Sequence, residues 1–308
     1  MKIKNHSRIC LIISATIFLV AIVMSLCGAG INYGIDFAGG SSITYDMKTA
    51  FDTADVENAM KALGVTDYKV SIAGDAGTEL QLRVSDKTTS SDESVQTLRD
   101  GLEAQLAEKY PEMTYVSVSR VGPVAGRTLV SNAIWSVLIA SALMLIYIAF
   151  RFDLNSGMAA VFGLLHDVLM MLAFMVILRS VIQMNSSFIA AMLTIVGYSI
   201  NNTIVIFDRI RENNRKAEFA NRKREEVVNI SIKESLGRTI NTTLTTLVTI
   251  VSLYILGVDA IREFSLPIIV GILSGVYSAN MINGYVWAFL EEKRKGMKAA
   301  KKLKAKKA

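Results

Sequence analysis

Cysteine, histidine and proline are nearly absent from this chain: its 308 residues include two Cys, two His and three Pro. Cys10 and Cys27 both fall in the first apolar run. If that run is one helix they stand about 25 Å apart and cannot pair with each other. The region 41–122 holds neither His nor Cys, which excludes Cys/His metal centres and thiol or imidazole chemistry there. No metal-ligand cluster, nucleophile–base pair or phosphate-binding loop is visible elsewhere. The chain is therefore not expected to be an enzyme or to carry a metal or cofactor. Pro111, Pro123 and Pro267 each fall at the edge of a predicted element.

What the chain has in quantity is hydrophobic residue, 52% of the total, too much for a soluble globule. Charge-free runs of about twenty residues or more occupy 9–35, 129–150, 180–207, 239–258 and 264–290. A sixth run, 154–178, is interrupted only by His166 and Asp167. Each is long enough to cross a bilayer once as a helix. Of the 33 Lys and Arg residues, 22 fall where six spans beginning inside would leave them in the cytoplasm. Nine of the other 11 lie in the long segment after the first span, which also carries 15 acids. The positive-inside rule puts both termini in the cytoplasm. That topology and attraction to anionic lipid headgroups account for the net charge of +6, so membrane lipid is an expected partner and nucleic acid is not. Basic residues precede the first run as in a signal peptide, but the run is long and lacks a small-x-small site, so it reads as a retained span.

Four regions follow from this pattern: 1–30, N-terminal tail and first span; 31–126, a Gly-rich connector with an extracytoplasmic domain; 127–290, spans two to six with a cytoplasmic segment at 208–237; and 291–308, a basic cytoplasmic tail. The connector places five glycines in residues 28–40, a composition that lets the following domain sit close against the membrane. Asp36 within it is either a hinge ligand or a solvated loop acid. Residues 42–47, 68–73, 79–84 and 114–121 read as strands, and 53–63 and 91–109 as helices. Residues 74–77 join the second and third strands, and Ser90 with Glu93 fits a capping box at the second helix. The order βαββαβ is that of the ferredoxin-like α+β split fold. Gln81, Arg83, Ser117 and Ser119 alternate with apolar neighbours, the pattern of a sheet buried on one face. The fold class is thus an α-helical polytopic membrane protein of six transmembrane helices with this domain inserted after the first.

Polar residues inside apolar runs are the candidate working parts. Asn201 and Asn202 sit in the fourth run, where unpartnered amides are costly, so they should face other helices or a wet cavity. His166 and Asp167 lie near the middle of the third, where a carboxylate must be protonated or paired. Thr239, Thr242, Thr246 and Thr249 recur at helical spacing in the fifth, as packing glue or as the lining of a water or ion path. Arg238 stands at the mouth of that stripe, either a flanking cation or a charge that holds or displaces an ion. In the sixth run Gly271 and Gly275 make a small-xxx-small pattern for close helix contact.

Taken in order, Gly34-Ile-Asp-Phe-Ala-Gly-Gly40, Val121-Gly-Pro-Val-Ala-Gly126, His166-Asp-Val168, Gly197-Tyr-Ser-Ile-Asn-Asn-Thr203 with its continuation to Asn213, and Gly237-Arg-Thr-Ile-Asn-Thr-Thr243 resemble the SecF family. This is the accessory membrane subunit of the bacterial protein-export translocase, in the resistance-nodulation-division superfamily. The resemblance spans nearly the whole chain. It implies a multi-pass protein of the bacterial cytoplasmic (inner) membrane, with SecD supplying the other pseudo-symmetric half. The SecYEG channel and a translocating unfolded polypeptide are its implied partners, and a cation gradient drives completion of export. It also marks Gly34, Asp36, Gly39 and Gly40 as the signature connector, and Asn201, Asn202, His166, Asp167, Arg238, Thr242 and Thr246 as ion-pathway candidates. One departure stands out. The family usually has Asp where this chain has Asn202, and an amide does not titrate. Asp167 or an acid of SecD would then carry the proton, or the amides and hydroxyls would offer neutral oxygens to Na⁺, or the chain would assist export without moving ions. The alternative function is a self-standing exporter of a small molecule or lipid from the same superfamily.

Overall fold

The computed structural model describes residues 3–74, 77–180 and 182–307. Asp75 and Ala76, in the expected connection between the second and third strands, lie outside the described residues. Helix α1 (Ile3–Leu26) leads through the short α2 (Ile35–Ala38) into β1 (Gly40–Asp46), α3 (Thr53–Ala62), β2 (Tyr68–Ala73), β3 (Glu79–Val84), α4 (Asp92–Leu106) and β4 (Thr114–Val121). Then come α5 (Pro123–Arg151), α6 (Leu154–Ile177), α7 (Ser186–Arg215), a 3₁₀ turn (Ala217–Phe219), α8 (Arg224–Leu256) and α9 (Asp259–Ser278). One π turn (Ala279–Asn283) passes α9 directly into α10 (Gly284–Lys307). Six of these helical stretches are long and apolar enough to cross a membrane.

The four strands form one antiparallel sheet in the order β2-β3-β1-β4, the arrangement the βαββαβ order requires when both helices cover one face. Alternation explains which face: Ile43 and Tyr45 on β1 and Leu80 and Leu82 on β3 are fully buried against Val56 and Met60 of α3 and Leu98 and Leu102 of α4. Asp52 caps α3 by accepting from the Ala54 N–H at 2.9 Å. The capping box of α4 falls one residue later than expected. Ser91, in extended conformation, is the N-cap, so its reciprocal partner is Ser94 and two hydroxyls replace the hydroxyl and carboxylate of Ser90 and Glu93. Arg83, expected on the solvated face, is 7% exposed, because there the sheet rests on the connector and donates from Nη1 to the Tyr33 carbonyl at 3.2 Å.

In the bundle α6, α7 and α9 form the centre, while α1, α5 and α8 turn apolar side chains such as Leu19, Trp135, Leu138, Leu244 and Val248 outward. Gly271 and Gly275 make the close contact their spacing suggested. A Cβ on Gly271 would overlap the Ile195 side chain of α7, and one on Gly275 would lie 3.3 Å from the Ser199 Cα. Pro267 departs from expectation, since α9 starts at Asp259 and places this proline inside the helix. It has no N–H for the carbonyl four residues back, a gap that a membrane helix tolerates when neighbours pack around it. The fourth span begins at Ser186, six residues later than its apolar run, because 182–185 pairs with the connector through a bridge between Tyr33 and Met184. At the far end α7 and α8 join as a helical hairpin packed against α10. Asn213 closes it, donating from Nδ2 to Ser231 Oγ at 3.1 Å and to Glu234 Oε2 at 2.6 Å.

Candidate functional site

Asp167 sits at the centre of α6 with no exposed surface. The close approach of α7 to α9 at Gly275 brings Ser199 Oγ to 2.5 Å from Asp167 Oδ2. Ser274 and Ser278, one helical turn apart on α9 and therefore on one face, donate to Oδ1 at 2.7 Å and Oδ2 at 2.8 Å. His166 Nδ1 lies 3.0 Å from Oδ1. Its Nε2 lies 2.8 Å from Ser14 Oγ on α1, and Ser14 in turn meets the Tyr277 hydroxyl at 3.2 Å. Tyr277 donates onward to the Cys10 carbonyl. The rings of Phe18 and Tyr277 flank the imidazole at 5.8 and 5.9 Å.

Burying a carboxylate costs several kcal/mol unless hydrogen bonds replace its hydration. Here four groups converge on two oxygens. Hydroxyls both donate and accept, so by rotating they satisfy either the carboxylate or the acid. An imidazole bonded on both nitrogens can pass a proton from one side to the other as it changes tautomer. The arrangement is chemically able to take up and release a proton with no buried group left unpaired.

A second polar layer lies one turn along the same helices. Asn283, at the end of the π turn, donates from Nδ2 to Thr203 Oγ1 at 2.9 Å, and Gly163 leaves room for it, since a Cβ there would overlap the amide. Asn202 is 1% exposed. Its Nδ2, with Asn280 Oδ1 and Asn283 Oδ1, has no hydrogen-bond partner among the described residues. The π turn widens the helix at this depth, a distortion common beside working sites.

The remaining candidates stand apart from this cluster. Asn201, expected to face inward, is exposed on the bundle surface, and Arg238 and Thr242 are also exposed. The threonines donate to their own helix, Thr242 to the Arg238 carbonyl at 2.9 Å and Thr246 to the Thr242 carbonyl at 3.0 Å. Tyr198 bridges α7 to this stripe through Thr246 Oγ1 at 3.3 Å. The three serines, Ser14 and Tyr277 escaped sequence reasoning. Ser274 and Ser278 interleave with Gly271 and Gly275, and a face of small residues reads as packing until a carboxylate is placed opposite it.

The connector does a separate task. Asp36 Oδ2 accepts from the Ser186 N–H at 2.8 Å, which ties this half-buried carboxylate to the N-terminal end of α7. Gly34 donates to the Met184 carbonyl at 2.9 Å. Gly40 has φ +119°, and a Cβ there would overlap the Val84 carbonyl oxygen. Gly39 also has positive φ. The bonds of Asp36 and Gly34 hold the connector on the end of the bundle, while Gly40 lets β1 pass close to the end of β3. Near the joint, burial and the positive charges of Arg83 and Arg179 push Lys69 down to about 8, and burial lowers Arg83 while Glu263 opposes the shift.

Residues 102–293 match the family described as protein export membrane protein SecD/SecF, C-terminal, and residues 25–50 match the SecD/SecF GG motif, which contains the connector. The protein translocase subunit SecF of Rickettsia bellii is 34% identical over 92% of each chain. That of Acidaminococcus fermentans is 34% identical over 96% of this chain and 98% of its own. The crystal structure of SecDF, a translocon-associated membrane protein from Thermus thermophilus, superposes with a TM-score of 0.77 at 32% identity, covering 94% of this chain and 38% of that one. SecDF of Bacillus subtilis is 35% identical over 87% of this chain and 35% of its own. The chain thus spans little more than a third of the SecDF relatives but nearly all of the SecF ones. These relatives are named as translocase subunits, and with that match over almost its full length the chain belongs to the SecF branch of the SecD/SecF protein-export family.

Proposed function

We propose that the chain works with a SecD-type partner beside the SecYEG channel, drawing an emerging polypeptide across the membrane at the expense of a proton gradient. In this reading both termini are cytoplasmic and the sheet domain stands on the opposite side. Asp167 takes up and releases the coupling proton that Asn202 cannot carry. The observation that supports it is a fully buried carboxylate held by Ser199, Ser274, Ser278 and His166. Its hydroxyl and imidazole partners continue through Ser14 and Tyr277 to α1. A relay of groups that both donate and accept suits a proton better than a metal cation, which has to displace existing hydrogen bonds. The match with SecF over almost its full length argues for a partnered half rather than a self-standing exporter.

The test is pulse-chase maturation of a secreted precursor in cells with and without the chain, with the proton and sodium gradients collapsed separately. Slower maturation on depletion is expected, with the part of maturation that depends on the chain lost when the proton gradient alone is collapsed, together with co-purification of SecD and SecYEG. Normal secretion alongside lost efflux of a small molecule would overturn the export reading. Dependence on the sodium gradient alone would overturn the proton.

A further inference from the structure

A cavity of about 240 Å³ opens at the end of the bundle away from the sheet, between the start of α6, the far end of α7, the start of α8 and α10. Arg211, Arg224 and Arg294 line it, with Trp287, Asp153 and Glu291. Both acids are already engaged. Asp153 Oδ1 accepts from Ser156 at 2.5 Å; Glu291 accepts from Asn155 at 2.5 Å and from Arg294 at 2.9 Å. Donors are left over. Trp287 is 5% exposed and its indole N–H has no partner among the described residues. Neither does the buried Nε of Arg224, although that side chain also donates to Asn214. Arg211 spends one N–H on the Arg151 carbonyl.

Two buried, unspent donors from different helices, on side chains that line a cavity carrying three guanidinium groups against two carboxylates, suit an anion with several acceptor oxygens. The cavity lies at the ends of helices long and apolar enough to cross a membrane, and the ends of such spans are where lipid headgroups begin. We propose that this cavity is a binding site for a phosphate group, filled by the headgroup of an anionic phospholipid or by free phosphate, with Arg211, Arg224 and the Trp287 N–H as its donors. The bound phosphate ties α7, α8 and α10 together at the helical hairpin. This site is separate from Asp167 and does not depend on any coupling role.

Trp287 is itself the reporter. The chain has two tryptophans, and Trp135 faces outward on α5, so Trp135→Phe leaves one indole, in the cavity. That full-length variant, in neutral detergent, is titrated with short-chain phosphatidylglycerol, with inorganic phosphate and with short-chain phosphatidylcholine while Trp287 emission is followed. A saturable change with phosphatidylglycerol or phosphate is expected, weakened about tenfold or more by Arg211→Gln or Arg224→Gln and by added salt. A response to the lipid alone identifies a headgroup as the ligand, and a response to phosphate alone identifies the free ion. Absence of a saturable response to both overturns the proposal, as does equal binding of phosphatidylcholine or binding unchanged in both arginine variants. If an arginine variant fails to fold, the comparison of the three ligands on the intact cavity still decides.

Discussion

Replacing Asp167 by Asn and by Leu separates the chemistry of the carboxylate from its role in packing. Asn keeps the size of the side chain. Its oxygen accepts from two of the present donors, and its NH₂ donates to hydroxyls of Ser199 or Ser278 that need only rotate. The net change in stability should stay near 1 kcal/mol, the scale of one exchanged hydrogen bond. Leu removes every acceptor. Ser278 also reaches the Gly275 carbonyl of its own helix at 3.2 Å, but Ser199, Ser274 and His166 lose the Asp167 acceptor they share. At about 1–3 kcal/mol for each buried group left unmade, partly offset by the apolar side chain, a loss of roughly 3–5 kcal/mol is expected. Thermal unfolding in detergent should therefore show Asp167→Asn close to the parent and Asp167→Leu far below it. Precursor maturation should be equally poor in both, because neither carries a proton. Normal gradient-driven maturation with Asp167→Asn would refute the coupling role, and a melt as low as that of the Leu variant would show that the carboxylate is a strut.

Asn202→Asp should leave maturation within about twofold of the parent, because the atom it replaces, Nδ2, makes no hydrogen bond; loss of folding would mean the amide is engaged in a way the geometry does not show. Gly40→Ala should open the end of the β1–β3 pairing, since the new Cβ meets the backbone oxygen of Val84 at positive φ and neither can give way. Limited proteolysis of the sheet domain reads this out, and an unchanged digestion pattern would contradict it. Lys69, pushed down to about 8 by burial and by Arg83 and Arg179, should be acylated faster at pH 8 than Lys48 or Lys61, and Arg179→Gln should slow it. Its folded pKa is below the unfolded value, so between about 8 and 10.5 the unfolded chain binds more protons and stability rises with pH across that window. In Lys69→Gln that rise should shrink, as measured by urea titration of the full chain at pH 7.5 and 10.

Much of the architecture is legible in the order of residues because the bilayer restricts it so tightly. A charge-free run of twenty residues has one stable form in hydrocarbon, and that rule alone separates six spans. Period-two alternation in 41–122 likewise admits one common sheet order. The local errors came where neighbours overruled local signals: the start of α7, set by pairing of Tyr33 with Met184, and Pro267, carried inside α9 by packing.

The site divides differently. His166 and Asp167 announce themselves, since ionisable groups in an apolar run are anomalous wherever they point. Which polar residues join them was decided only by tertiary structure. Asn201 and Asn202 are adjacent in the chain, yet a helix turns about 100° per residue, so one is buried and the other exposed. Ser199, Ser274 and Ser278 come from two helices and meet at one carboxylate because the glycines of α9 allow α7 to approach closely, while Ser14 of α1 joins them through His166. Composition determined that this chain lives in a membrane; the packing of its helices decided which side chains surround its buried carboxylate.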